Sequence, residues 1–255
     1  MFKTRGVLLD VDGVLVTSWR PLPGAVETVG WLRQEDIPFR LVTNTTQYSR
    51  AGLAAILCDA GMPVQAHEVM TATVATAAYL RRHHPGARCH LLATGEALED
   101  LRDVERVEEG AEVVIVGDAE DSFNYESLNR AFRMLMEGAA LVAMHRGLYW
   151  MTSEGLTLDV GAFIAGFEAA AGVQAAVAGK PSPDFFLSAA ESIGLPADAL
   201  LMAGDDVQND VNASQEVGMR AVLVKTGRFR GGDLQLLEPP AEAIDSIVDL
   251  PSLLS

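Results

Sequence analysis

Along this chain, short apolar runs end abruptly in polar, ligand-capable residues, and stretches with helically spaced apolar positions separate one run from the next. Val7, Leu8 and Leu9 form the first run, which stops at Asp10. A helical pattern follows from about Gly24 to Glu35, then a second apolar strand, Phe39 to Val42, that stops at Thr43 and Asn44. Leu53, Ile56, Leu57 and Ala60 mark another helix with Gly61 as its stop, and a further helix spans Thr71 to His84 before Pro85. From Ala87 the alternation restarts. The strands are HLLA, EVVIV and ALVAM; the helices run through Leu98 and Leu101, from Tyr125 to Glu137, and through Phe163, Phe167 and Ala170 on one face, after a Tyr149-Trp150-Met151 segment. The last section has an apolar step at Ala176 to Ala178, a helix through Phe185, Phe186 and Ala189, and LLMA ending in Gly204-Asp205-Asp206. A helix from Val207 to Val217 follows, and AVLV ends near Lys225-Thr226-Gly227.

Strands that alternate with helices predict an α/β fold with right-handed crossovers and a parallel sheet. The middle section reads as a smaller α/β unit inserted into the larger one, residues 84–176 between 1–83 and 177–255. A length of 255 residues agrees with that division, since domains run to roughly 150 residues each.

Charge narrows the function. A net charge of -16 argues against nucleic-acid partners, whose backbone binding needs clustered Lys and Arg. The same charge repels anionic substrates, so a phosphate site here requires local positive charge or a metal. Lys3, Lys180 and Lys225 are the only lysines, which makes the position of each worth following. The stretch from Val160 to Gly179 has the apolarity of a membrane span, but Glu168, Gln174 and four glycines interrupt it, and no membrane association is expected. Cys58 and Cys89 lie far apart with no paired-cysteine motif, and no secretory leader is read at the N-terminus; both point to a reducing, cytoplasmic setting. A homodimer stays open.

The chemistry lies at the strand ends. Asp10 and Asp12 follow a buried-strand pattern with no basic neighbour in sequence, and Gly13 lets the backbone turn so that main-chain N–H groups face a ligand. Taken alone, Asp-Val-Asp-Gly is equally well a turn. In open α/β sheets, however, ligands sit outside the carboxyl ends of the strands, which brings Asp10, Asp12, Thr43, Asn44, Asp205 and Asp206 to one crevice, with Asp210 a helical turn on. So many carboxylates do not stay ionised together without a cation, and all-oxygen ligation selects a hard ion, Mg2+. A carboxylate in such a site attacks phosphorus to form an aspartyl phosphate, and a second carboxyl two residues on protonates the leaving oxygen and later activates water. Lys180, with the Thr43 hydroxyl, supplies positive charge for the transferring group.

DVDGV at Asp10 to Val14, Thr43-Asn44, Gly179-Lys180-Pro181 and GDDxxND at Gly204 to Asp210 together resemble the four motifs of the haloacid dehalogenase (HAD) superfamily, over the whole chain. The TNTTxxSR segment, GKPxPxFF and the VGMRAVLVKTGRF tail resemble its type IIA subfamily, nearest the phospholysine phosphohistidine inorganic pyrophosphate phosphatase branch. The resemblance implies a Rossmannoid core with an inserted C2 cap that closes over it. It implies Asp10 as nucleophile, Asp12 as general acid/base, Lys180 as charge stabiliser and Thr43 and Asn44 as phosphate contacts. For the metal it implies the Asp10 side chain, the Asp12 main-chain carbonyl and Asp205, with Asp206 and Asp210 in or behind the ligand set. The implied activity is Mg2+-dependent hydrolysis of a small phosphorylated substrate, pyrophosphate or an N-phosphorylated compound. Sugar or nucleotide monophosphates are the alternative. Sugar-phosphate members carry Asn-x-Asp where this chain has His145-Arg146-Gly147, and the Pro-Gly pairing expected near Asp159 to Phe163 is missing; the first departure turns the reading away from that alternative.

Plainer readings stand beside these. His145 serves either as a substrate contact or as a structural residue of the inserted unit. Arg228 and Arg230 read as solvated surface charges, and His67, His83, His84 and His90 lack metal-ligand spacing. GKPS resembles the end of a nucleotide-binding loop, but Gln174 stands where its first glycine belongs. A binding protein that kept the fold without useful turnover, and a phosphotransferase, are the remaining alternatives; the intact Asp10 and Asp12 pair argues against the first.

Overall fold

The computed structural model describes residues 4–152 and 155–254, so Lys3 lies outside the described residues, as do the side chains of Trp150 and Met151. Two compact units emerge. The first comprises residues 1–43, 50–70 and 180–255, and the second residues 44–49 and 71–179.

In chain order the strands of the first unit are β1 (Gly6–Asp10), a small antiparallel pair β2 (Val16–Thr17) and β3 (Arg20–Pro21), β4 (Phe39–Thr43), β5 (Val69–Thr71, whose last residue falls in the second unit), β12 (Leu200–Gly204), β13 (Arg220–Val224) and β14 (Glu242–Ile244). Six of them form one sheet in the order β14-β13-β12-β1-β4-β5. The pairs β1/β12, β1/β4, β12/β13 and β13/β14 are parallel. All five residues of β1 and of β12 are buried, as central strands covered on both faces require, which is why their sequences run apolar without alternation. Helices α1 (Ala25–Gln34), α2 (Arg50–Asp59), α6 (Pro183–Ile193), α7 (Ala213–Glu216) and α8 (Leu250–Leu254) complete the unit. The register sets Asp10 beside Val42 and Gly204 beside Leu223, so β1, β4, β12 and β13 end level with one another.

The second unit holds a parallel four-stranded sheet in the order β11-β8-β7-β6, from β6 (Cys89–Leu92), β7 (Val113–Val116), β8 (Ala140–Ala143) and β11 (Ala176–Val177). One face packs on α4 (Tyr125–Met136) and α5 (Val160–Ala171), through Ala131, Met134, Leu135, Ile164 and Phe167. The other packs on α3 (Ala72–His83), through Ala72, Ala77 and Leu80. That packing explains the boundary: α3 buries its apolar face on β7 and β8, so the units divide at 70/71, where sequence pattern alone suggested 83/84. Residues 44–49 go with the second unit, where Ser49 Oγ donates to Glu96 Oε1 at 2.6 Å.

Several elements differ from the pattern-based expectation. The helix expected through Leu98 and Leu101 is only a short 3-10 turn, Glu96–Leu101. The Tyr149 segment is half of a hairpin, β9 (Tyr149–Thr152) against β10 (Gly155–Leu158). On α5 the buried stripe is Val160, Ile164 and Phe167; Ala170 is exposed, and Phe163 is half-buried, stacked on Phe123 at 3.9 Å. Apolar residues surround this helix on most sides, and only the contacts of its neighbours fix which stripe is covered. The helix expected from Val207 opens as a π-helical turn, Val207–Asn212, before α7. No helix among the described residues is long and apolar enough to cross a membrane.

Candidate active site

In the first unit, β1 delivers Asp10 at its last residue, and Gly13 turns the chain with φ 91°. Strand β12 delivers Asp205, and the π-helical turn behind it carries Asp210, one of the settings in which such turns occur at functional sites. Asp206 caps that turn, accepting from the N–H groups of Gln208 and Asn209 at 3.0 and 2.9 Å and from Asn209 Nδ2 at 2.7 Å. One ligand oxygen each from Asp10, Asp205 and Asp210 lies within 4.8 Å of the others, and all three residues are buried. Lys180, buried just ahead of α6, joins two of them, donating from Nζ to Asp10 Oδ1 at 2.6 Å and to Asp210 Oδ1 at 2.7 Å. Thr43, at the end of β4, donates from Oγ1 to Asp12 Oδ2 over a long 3.4 Å, and the Asp12 side chain reaches solvent.

The electrostatics follow from this crowding. Burial, reinforced by neighbouring carboxylates against the pull of Lys180, raises Asp10 to about 7 and Asp210 to about 7. Burial also raises Asp205 to about 6, against the hydrogen bond from the Arg228 N–H and with Asp210 adding to the rise. Asp12 is raised too, by desolvation that outweighs Lys180, Thr43 and Arg228. Burial disfavours the charge on Lys180, but Asp10 and Asp210 overcome it and lift its pKa above the ordinary lysine value. Asp206 goes the other way: despite desolvation, its bonds from Asn209 and the nearby Arg228 hold it below the usual carboxylate range.

A clasp that sequence reasoning missed holds this arrangement. The loop after β13 donates Arg228 N–H to Asp205 Oδ2 at 2.6 Å and Thr226 Oγ1 to the Gly13 carbonyl at 2.5 Å. A Cβ on Gly13 would fall 2.0 Å from Asp205 Oδ2, one on Gly227 1.9 Å from the same atom, and one on Gly204 2.3 Å from the Asp210 Cβ. Glycine is therefore required at each position by close approach. The Lys225-Thr226-Gly227 strand exit was the available signal, since it repeats the strand-then-glycine pattern of β1.

Of the other candidates, Asn44 lies in the second unit, where its Oδ1 comes close enough to Gly179 to exclude a side chain there. His145 is buried in the same unit: Nδ1 accepts from Gly147 N–H at 3.2 Å and Nε2 lies 3.7 Å from Asp159, whose side chain caps α5. Lys225 pairs with Asp245 at 2.9 Å.

A family model described as haloacid dehalogenase-like hydrolase matches residues 7–106, and a second, of HAD-like hydrolases, matches residues 177–250. The chain is 37% identical to mouse phospholysine phosphohistidine inorganic pyrophosphate phosphatase, over 98% of this chain and 94% of that protein. It belongs to the haloacid dehalogenase-like hydrolases. Human haloacid dehalogenase-like hydrolase domain-containing protein 2 is 36% identical over 92% of this chain and 90% of its own length. Among solved structures, the p-nitrophenyl phosphatase of Archaeoglobus fulgidus superposes with a TM-score of 0.90 at 29% identity, covering 99% of this chain and all of that one. The 4-nitrophenylphosphatase of Thermotoga maritima gives 0.90 at 26% identity, covering 99% and 98%. Within the haloacid dehalogenase-like hydrolases, this chain is an enzyme of the phosphatase kind.

Proposed function

We propose that this chain is a Mg2+-dependent phosphatase that hydrolyses a small phosphorylated substrate through an aspartyl phosphate on Asp10. The observation that carries the reading is the buried triangle of Asp10, Asp205 and Asp210, with Lys180 tied to two of its corners. Three carboxylates against one ammonium leave an excess of negative charge, which the raised carboxyl values express and which an oxygen-ligated divalent cation relieves. Asp10 and Asp205 would hold it, together with the Asp12 main-chain carbonyl. Asp210, bound to Lys180 and to the Asp206 N–H at 3.2 Å, stands within reach as a further oxygen ligand or as the support of Lys180. Bound there, Mg2+ supplies positive charge for the phosphoryl oxygens.

In this reading an Asp10 oxygen attacks phosphorus and the bond to the leaving oxygen breaks. Asp12 gives that oxygen its proton, a task suited to a carboxyl raised above its ordinary value. Asp12 then takes a proton from water, which attacks the aspartyl phosphate, releases inorganic phosphate and restores Asp10. Lys180 keeps Asp10 aimed and adds charge stabilisation, the Thr43 hydroxyl faces the phosphoryl group, and the second unit serves as a C2 cap carrying Asn44 and His145 as substrate contacts.

Pyrophosphate or an N-phosphorylated compound is the favoured substrate, on the strength of what the mouse relative's name says of that protein. The p-nitrophenyl phosphatases among the structural neighbours favour simple monoesters as a second reading. Free Cys58 and Cys89 fit work in a reducing cytoplasm. Phosphate release from pyrophosphate and p-nitrophenyl phosphate, with Mg2+ or with chelator, tests the proposal. Turnover that needs Mg2+ supports it, and equal release in chelator sinks it.

A further inference from the structure

Arg228 differs from Lys180, the cation buried among the carboxylates. Lys180 is buried and committed to Asp10 and Asp210, so its ammonium is not available to a distant part of the substrate. Arg228 has its backbone fixed and its side chain out in solvent. Its N–H bonds Asp205 Oδ2, its carbonyl accepts from Arg230 Nη1 at 2.9 Å, and Phe229 N–H closes the loop on the Thr226 carbonyl at 3.0 Å. Arg230, exposed at the surface as its sequence suggested, turns its guanidinium back on the loop, donating to the Arg228 and Phe229 carbonyls. The Arg228 side chain is 74% exposed, and its Nη1 meets Asp206 Oδ2 only loosely, at 3.5 Å, a contact of the strength that exposed ion pairs readily give up. Its charge is nonetheless felt at Asp12, Asp205 and Asp206. A hydrogen-bonded loop backbone thus presents an exposed, planar, five-donor cation at the solvent side of the site, in a molecule whose net charge of -16 otherwise repels anions.

We infer that Arg228 is a specificity-determining residue that binds a second anionic group of the substrate, beyond the phosphoryl group that is transferred. This rests on the phosphatase reading and deepens it: the preferred substrate class is one with two adjacent anionic centres, such as a diphosphate, and a singly anionic ester gains less.

The test compares kcat/KM for pyrophosphate with kcat/KM for p-nitrophenyl phosphate, in Mg2+, for the wild type, Arg228→Ala and Arg228→Lys. Both variants keep the backbone N–H that holds Asp205, and melting temperatures check that they fold. Loss of a charge-assisted fork to phosphate is expected to lower the ratio about tenfold or more in Arg228→Ala, with Arg228→Lys in between. An unchanged ratio in an active enzyme overturns the role of Arg228 alone, as does a wild type that cleaves the ester and no pyrophosphate. A wild type inert on both substrates overturns the phosphatase reading itself.

Discussion

At the scale of residues, Lys180 decides whether the buried carboxylates tolerate one another. Replacing it with alanine leaves Asp10 and Asp210 without their shared partner, and breaking a buried pair this way costs about 3–5 kcal/mol. Urea unfolding of metal-free Lys180→Ala is expected to show that loss, and Mg2+ to recover part of it. Asp10→Asn keeps the shape and the Lys180 contact while removing the attacking oxygen's charge. Steady-state phosphate release should fall at least about a thousandfold, because no neighbouring carboxylate stands in for a nucleophile. The roles of Asp10, Asp12, Lys180 and Asp205 could be proposed from sequence because the types are chemically unusual after apolar runs. Arg228 and Arg230 could not be told apart, since their difference lies in which guanidinium bonds its own loop.

The elements carry the geometry through their ends. Strands β1, β12 and β13 stop level with one another, and Gly13, Gly204 and Gly227 let their following turns close on Asp205 and Asp210. At Gly227 the backbone has φ 52°, so Gly227→Ala adds about 1–2 kcal/mol of left-handed strain and pushes a methyl against Asp205. Titration calorimetry should show weaker Mg2+ binding by this variant, together with a lower melting temperature. Apolar periodicity made the principal strands and helices legible. It did not reveal β5, β14 or the β9–β10 hairpin, whose strands are three or four residues long, too short for a period to show. Nor did it foresee the π-helical turn at Val207–Asn212, which follows from how Asp206 caps it and how Gly204 admits Asp210.

For the whole molecule, the order of motifs suggested an inserted unit, while its edge at 70/71 depended on where α3 buries its face, a fact of packing that composition does not mark. The buried carboxylates also tie global stability to pH. In the metal-free chain Asp10 and Asp210 stand near 7 and Asp205 near 6, all above their ordinary value of 3.8, so above that value the folded state holds protons the unfolded state has released. Their contribution to stability is full below 3.8 and is lost progressively from there until the pH has risen through 6 to 7. Thermal melts without metal should therefore fall across that window. The rise in melting temperature on adding Mg2+ should grow over the same range, since metal replaces the departing protons.

On the proposed mechanism, Asp10 carries the phosphoryl group between two half-reactions. Rapid acid quenching of the enzyme during turnover of radiolabelled phosphate substrate, followed by peptide mapping, tests it most directly. A hydroxylamine-sensitive phosphoryl label is expected on the peptide containing Asp10 and absent from Asp10→Asn. Full turnover with no labelled enzyme at any quench time, or label that persists in Asp10→Asn, would contradict it.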